Sequence, residues 1–88
     1  MKFLSIYKYK PEQAKDANSR YLESGGKPPE GIKIVGRWHD IGGGRGFTVI
    51  ETDDPVALSK WSTEWDDLLS LEIVPVIDDQ EAAAVMGS

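Results

Sequence analysis

Four short stretches rich in β-branched and aromatic residues, Lys2 to Tyr9, Ile32 to His39, Phe47 to Thr52 and Leu71 to Ile77, alternate with two stretches whose apolar residues recur every three or four positions. Side chains alternate between faces along a strand and return to one face about every 3.6 residues along a helix, so these patterns predict the order β-α-β-β-α-β. Punctuation agrees. A first helix is expected from Pro11, through Ala14, Ala17, Asn18 and Tyr21, to Ser24, where Gly25-Gly26 supplies a stop free of Cβ clashes. Asp54 before Pro55 opens a second helix, with an apolar stripe at Leu58, Trp61, Trp65, Leu68 and Leu69. Gly36 interrupts the second strand and predicts a bulge or a close backbone approach, while the glycine-rich run from 42 to 46 reads as a hairpin loop. Pro75 places the last strand at a sheet edge, and Asp78 with Glu81 predicts the cap of a short helix reaching Met86.

This order is that of the ferredoxin-like, split βαβ arrangement. Right-handed crossovers then give an antiparallel sheet in the order 4-1-3-2, with both helices on one face, as a single domain over residues 1–88. Taking the helix side as Leu4, Ile6, Ile32, Ile34, Trp38, Phe47, Val49, Leu71 and Ile73 leaves Phe3, Tyr7, Val35, Ile50, Val74 and Val76 on the open side. So apolar a face marks an interface. A chain of 88 residues buries only about 60% of its unfolded surface, and with no Cys and one His it has neither a disulfide nor a zinc-finger ligand set as a staple. Two sheets packed face to face, as a homodimeric α+β barrel, are the expected remedy.

Composition excludes several classes without selecting a chemistry. The apolar runs fall far short of the roughly 20 residues of a membrane helix, and Lys8 and Lys10 close the first run before a signal-peptide core forms, so a cytoplasmic protein is expected. Residues 1–50 carry nine basic and five acidic side chains, a net of +4, whereas residues 51–88 carry one basic and ten acidic, a net of −9. Helix surfaces kept solvated account for the asymmetry, with steered association of two subunits as the alternative. RNA-recognition modules share the element order, but the segment from Gly44 to Glu51 carries one aromatic where stacking needs several, and the net charge of −5 repels phosphates. No nucleic-acid partner is expected.

His39 is the only histidine, the side chain that exchanges protons near neutrality, and Arg37 two residues earlier projects from the same strand face. If that face lines the barrel, Ser5, Tyr7, Arg37, His39 and Thr48 ring a cavity: Arg37, Ser5 and Thr48 as ligand-binding groups, His39 and Tyr7 as proton donors or acceptors. Alternatively, His39 lies at a strand end near solvent and Arg37 pairs with Glu51 or a carboxylate of the partner subunit. Trp61 and Trp65, four apart, read as core, with an aromatic clamp as the alternative, and Trp38 also reads as core. Asp53/Asp54 and Asp78/Asp79 sit at helix starts, where capping explains them, and Asp66/Asp67 diverge; no metal site or cofactor motif is present.

The runs Pro29-Glu30-Gly31, Gly36-Arg37-Trp38-His39, Gly46-Phe47 and Glu51 through Leu58, then Trp61, Trp65, Val74-Pro75-Val76 and Glu81-Ala82, resemble a family of small, mostly bacterial proteins catalogued only as a domain of unknown function. The resemblance covers nearly the whole chain. It implies a dimeric α+β barrel of the superfamily that includes cofactor-independent monooxygenases and muconolactone isomerases, and it implies no particular activity. The expected function is binding of a small aromatic or anionic molecule between the sheets, against a monooxygenase-like or isomerase-like enzyme and a purely structural dimer.

Overall fold

The Asp54-Pro55 and Asp78 signals act as their chemistry requires. The Asp54 carboxylate accepts the Ala57 N–H at 3.0 Å, and Asp78 forms a full capping box in which it accepts the Glu81 N–H at 2.8 Å while Glu81 accepts the Asp78 N–H at 3.2 Å. In a computed structural model that describes residues 1–88, the elements are β1 (Lys2–Tyr9), α1 (Ala14–Ser24), β2 (Lys33–His39), β3 (Arg45–Glu51), α2 (Pro55–Thr63), β4 (Leu69–Val76) and α3 (Asp79–Met86). Asp54→Ala is expected to cost about 1 kcal/mol, read as a lower urea midpoint at unchanged slope; an unmoved midpoint would show that Pro55 alone starts α2.

Two helix boundaries differ from the expected ones. Glu12 takes a left-handed φ of 66°, so the chain cannot continue as helix from Pro11, and α1 starts at Ala14. At its far end Gly25 is left-handed at φ 69° and donates its N–H to the Tyr21 carbonyl at 2.7 Å. The α2 stripe extends past the helix itself. The Glu64 carbonyl accepts from Arg20 at 2.9 Å instead of receiving the Leu68 N–H, which goes to Trp65, so Trp65 and Leu68 sit in turns and Leu69 opens β4.

The sheet is fully antiparallel in the order β2-β3-β1-β4, the expected order read from the other edge, and β4 with Pro75 is an edge strand. Cross-strand partners share a face. Ala17 of α1 packs with Leu68 and Leu69 against Tyr7, Tyr9 and Leu71, and Leu58 of α2 packs with Ile32 and Ile50 against Phe3, Trp61 and Ile73. The helices therefore cover the face that carries Phe3, Ser5, Tyr7, Thr48 and Ile50, the reverse of the expected choice for β1 and β3. Both phases of these strands are apolar, so alternation offers two nearly equal solutions, and the helices select the one in which Ile50 is left 1% exposed.

Strand β2 adds a second correction. Its register shifts between Ile34, opposite Ile50, and Gly36, opposite Val49. The extra residue, Val35, resets the alternation, so Ile34, Arg37 and His39 share the helix face and Trp38 turns to the open one, where it is 58% exposed rather than core. Its ring lies over Gly36, where a Cβ would collide with it. The open face thus carries Leu4, Ile6, Trp38, Phe47, Val49 and Val74 by register.

Part of the charge asymmetry is resolved within the chain. Arg20 of the basic half makes a two-pronged contact to Asp67 at 2.9 and 2.7 Å and lies over the Trp65 ring, while Lys2 reaches Asp78 at 3.3 Å and Glu81 at 3.7 Å. The Arg20 contact holds the Asp67 carboxyl below the ordinary aspartate value of 3.8, and the Glu81 N–H together with Lys2 does the same for Asp78. Carboxylates with lowered folded values stabilise fully above the ordinary value and lose that contribution as the pH falls through the lowered one. Acidification below the aspartate range is therefore expected to release α3 and the Arg20 side of α1 before the sheet melts, followed by backbone NMR shifts; strand resonances moving first would contradict it.

Candidate functional site

A cleft of about 400 Å³ lies between the sheet and the two helices. Its size is in the range that holds small ligands. The sheet floor is built from two cross-strand rows. Arg37, Thr48 and Ser5 line the cleft from one; His39, Tyr7 and Leu71 line it from the next, in which Gly46 stands between His39 and Tyr7. The helix side brings Ala17, Asn18 and Tyr21 from α1 and Leu58, Trp61, Ser62 and, just beyond α2, Trp65. The lining contains no carboxylate, although the chain carries 15 acidic residues.

The second row shows why a glycine stands in β3. Tyr7 and His39 are separated by that strand, a span of about 10 Å between their backbones. A Cβ at Gly46 would fall within contact distance of the Tyr7 ring carbons and hydroxyl, so the ring lies across the bare backbone. It thereby reaches His39, with its hydroxyl 2.6 Å from Nδ1. Burial holds the Tyr7 hydroxyl above the ordinary phenol range, with Tyr9 adding to the effect and Arg37 opposing it. Tyr7 therefore stays a protonated hydrogen-bonding group at neutral pH. Tyr21 meets His39 edge-on with ring centres 5.7 Å apart.

Arg37 does not pair with Glu51. Its guanidinium donates to the Gly26 carbonyl at 2.6 Å and the Gly25 carbonyl at 3.4 Å, and it lies over the Tyr21 ring at 5.5 Å. Gly26 is required at this corner: its φ is 60°, and a Cβ would meet both Arg37 and the Tyr21 ring within 3 Å. Tyr9 ties α1 down a second time by donating to Asn18 Oδ1 at 2.5 Å.

The five candidate residues Ser5, Tyr7, Arg37, His39 and Thr48 therefore line one space, beneath the helices of a single subunit and not between two sheets. Ser5 and Thr48 are buried on its floor, while His39 and Asn18 are exposed at its mouth. Trp61 and Trp65 each belong to both readings offered by their spacing: they pack on the two core clusters and also wall the cleft. Tyr21 and Gly46 are the residues that sequence reasoning overlooked. The Ala17–Tyr21 spacing in α1 held the signal for the first, and only the strand register reveals the second. No group of His, Asp and Glu is arranged to hold a metal ion, and no helix is long and apolar enough to cross a membrane.

No curated protein and no solved structure matches the chain. One family does, over residues 1–88, and the chain accordingly belongs to the family described as a domain of unknown function (DUF3303).

Proposed function

We propose that this protein binds a small planar molecule in the cleft between sheet and helices, without needing a cofactor, and that it does so as a homodimer of ferredoxin-like subunits joined through their open sheet faces. One observation carries the binding reading: two indoles and the apolar side chains of Ile50, Leu58, Leu69 and Leu71 share one cleft with Tyr7, His39 and Arg37, with no carboxylate on the wall. Flat aromatic surfaces fit such a slot, and the remaining charge favours neutral or anionic molecules over cations. The dimer rests on the open face, where Trp38 and Val74 are exposed beside Phe47 and Val49. That arrangement is the one of dimeric α+β barrels.

The 2.6 Å contact between Tyr7 and His39 favours a second reading, an enzyme that moves a proton on its bound substrate without a cofactor. Native mass spectrometry of the purified protein tests both assembly and binding. A mass of twice the 9.7 kDa chain, increased by a co-purified or added aromatic compound, is the expected result. A monomer that takes up none of a panel of aromatic compounds would overturn the proposal, and conversion of a bound compound would favour the enzyme.

A further inference from the structure

The hydrogen bonding of Tyr7, His39 and Arg37 in the cleft narrows the chemistry of its ligand, an inference that rests on the binding reading above. Arg37, the one fixed cation on the wall, already uses both terminal nitrogens on the Gly25 and Gly26 carbonyls. A carboxylate is best received by two parallel N–H groups of a free guanidinium fork. One N–H of each terminal nitrogen is engaged there, and the charge of Arg37 still acts across the cleft.

His39 offers the complementary feature. The only partner of the Tyr7 hydroxyl within the chain is His39 Nδ1, and the hydroxyl is taken as the donor of that pair. That assignment places the His39 ring proton on Nε2, where the chain supplies no acceptor. His39 and the fixed charge of Arg37 line the same cleft as the Trp61 and Trp65 indoles.

We infer that the cleft selects phenols and binds them as phenolates, the aromatic ring lying in the slot and the single oxygen accepting from His39 Nε2–H near Arg37. Binding releases the phenol proton to solvent, so the site lowers the pKa of its ligand. Aromatic carboxylates of the same size are the poorer ligands.

4-Nitrophenol reports this directly, because its phenolate alone is yellow. At a pH equal to its own pKa, adding the protein is expected to raise the phenolate absorbance, with the bound phenol titrating about one unit lower, an approximately tenfold preference for the anion. 4-Nitrobenzoate is expected to bind about tenfold more weakly or worse. His39→Ala is expected to abolish the absorbance change, whereas His39→Gln, whose amide N–H reaches toward the Nε2 position, is expected to keep part of it. Tyr7→Phe, in which the ring still covers Gly46 but no longer orients His39, is expected to reduce the preference for phenolate; far-ultraviolet circular dichroism confirms folding of each variant. Binding of 4-nitrophenol with no change in its protonation, or a tighter hold on 4-nitrobenzoate, would overturn the inference while leaving the cleft a binding site. If neither compound nor uncharged nitrobenzene perturbs the Trp61 and Trp65 indole signals, the binding reading itself fails and the inference with it.

Discussion

Gly46→Ala is expected to break the site at its centre. The new methyl group would occupy the space where the Tyr7 ring crosses β3, and the ring, wedged between sheet and α1, has to move off His39. Overpacking of this kind costs about 1–3 kcal/mol, or roughly 5–20 °C in melting temperature for a domain of this size. Affinity for aromatic ligands is expected to fall at least about tenfold, because the rotated ring enters the slot and His39 loses its orienting partner. The paired control is Gly43→Ala in the hairpin loop. Gly43 is left-handed at φ 79° with open space around it, so its substitution strains the turn but leaves the cleft untouched. Equal loss of ligand affinity in both variants, or none in Gly46→Ala, would show that Tyr7 does not depend on the glycine seat.

The largest stability effect is expected at Ile50. It is 1% exposed near the C-terminal end of β3, joins Ile32 and Leu58 in one core cluster, and borders Phe3, Trp61 and Ile73. In a chain with only 11 buried residues little else can close around a cavity there. Ile50→Ala is expected to cost about 3–4 kcal/mol and to lower the melting temperature by roughly 15–25 °C. Chemical denaturation measures the free energy directly. A loss below about 1 kcal/mol would mean that the helices do not close over this face of the sheet.

Most of the chain's element order was legible in the sequence, and the reason is locality. Asp54-Pro55, Asp78 with Glu81, Gly25 and Gly36 each act within a few residues, so their caps, stop and bulge follow from chemistry that a short window contains. The choice of sheet face was not local. Leu4 and Ile6 compete with Phe3 and Tyr7 on β1 as nearly equal apolar phases, and only packing against Leu58 and Ala17 decides between them. Trp38 was misplaced for the same reason, because the residue inserted at Val35 reverses the phase of everything after it. Trp65 looked helical by spacing but stands beyond α2, where Arg20, 44 residues before Glu64, takes the helix-end carbonyl.

The candidate site was legible as a residue list and not as a place. Ser5, Tyr7, Arg37, His39 and Thr48 do line one cavity, but in the opposite layer of the molecule from the one expected, and with Arg37 committed to the backbone of the α1–β2 connection. That reversal frees the open face. In the proposed function, ligand and second subunit occupy opposite sides of the sheet, which makes binding and association separable properties.

The three tryptophans separate these two sides in one experiment. Trp61 and Trp65 wall the cleft, whereas Trp38 stands on the open face, and each indole N–H gives its own resonance in a proton–nitrogen correlation spectrum. Titrating the protein with 4-nitrophenol is predicted to shift the Trp61 and Trp65 indole signals together with the backbone signals of Thr48 and Tyr21, leaving Trp38 in place. A shift confined to Trp38, with the cleft indoles unmoved, would contradict the account and place the ligand on the open face of the sheet.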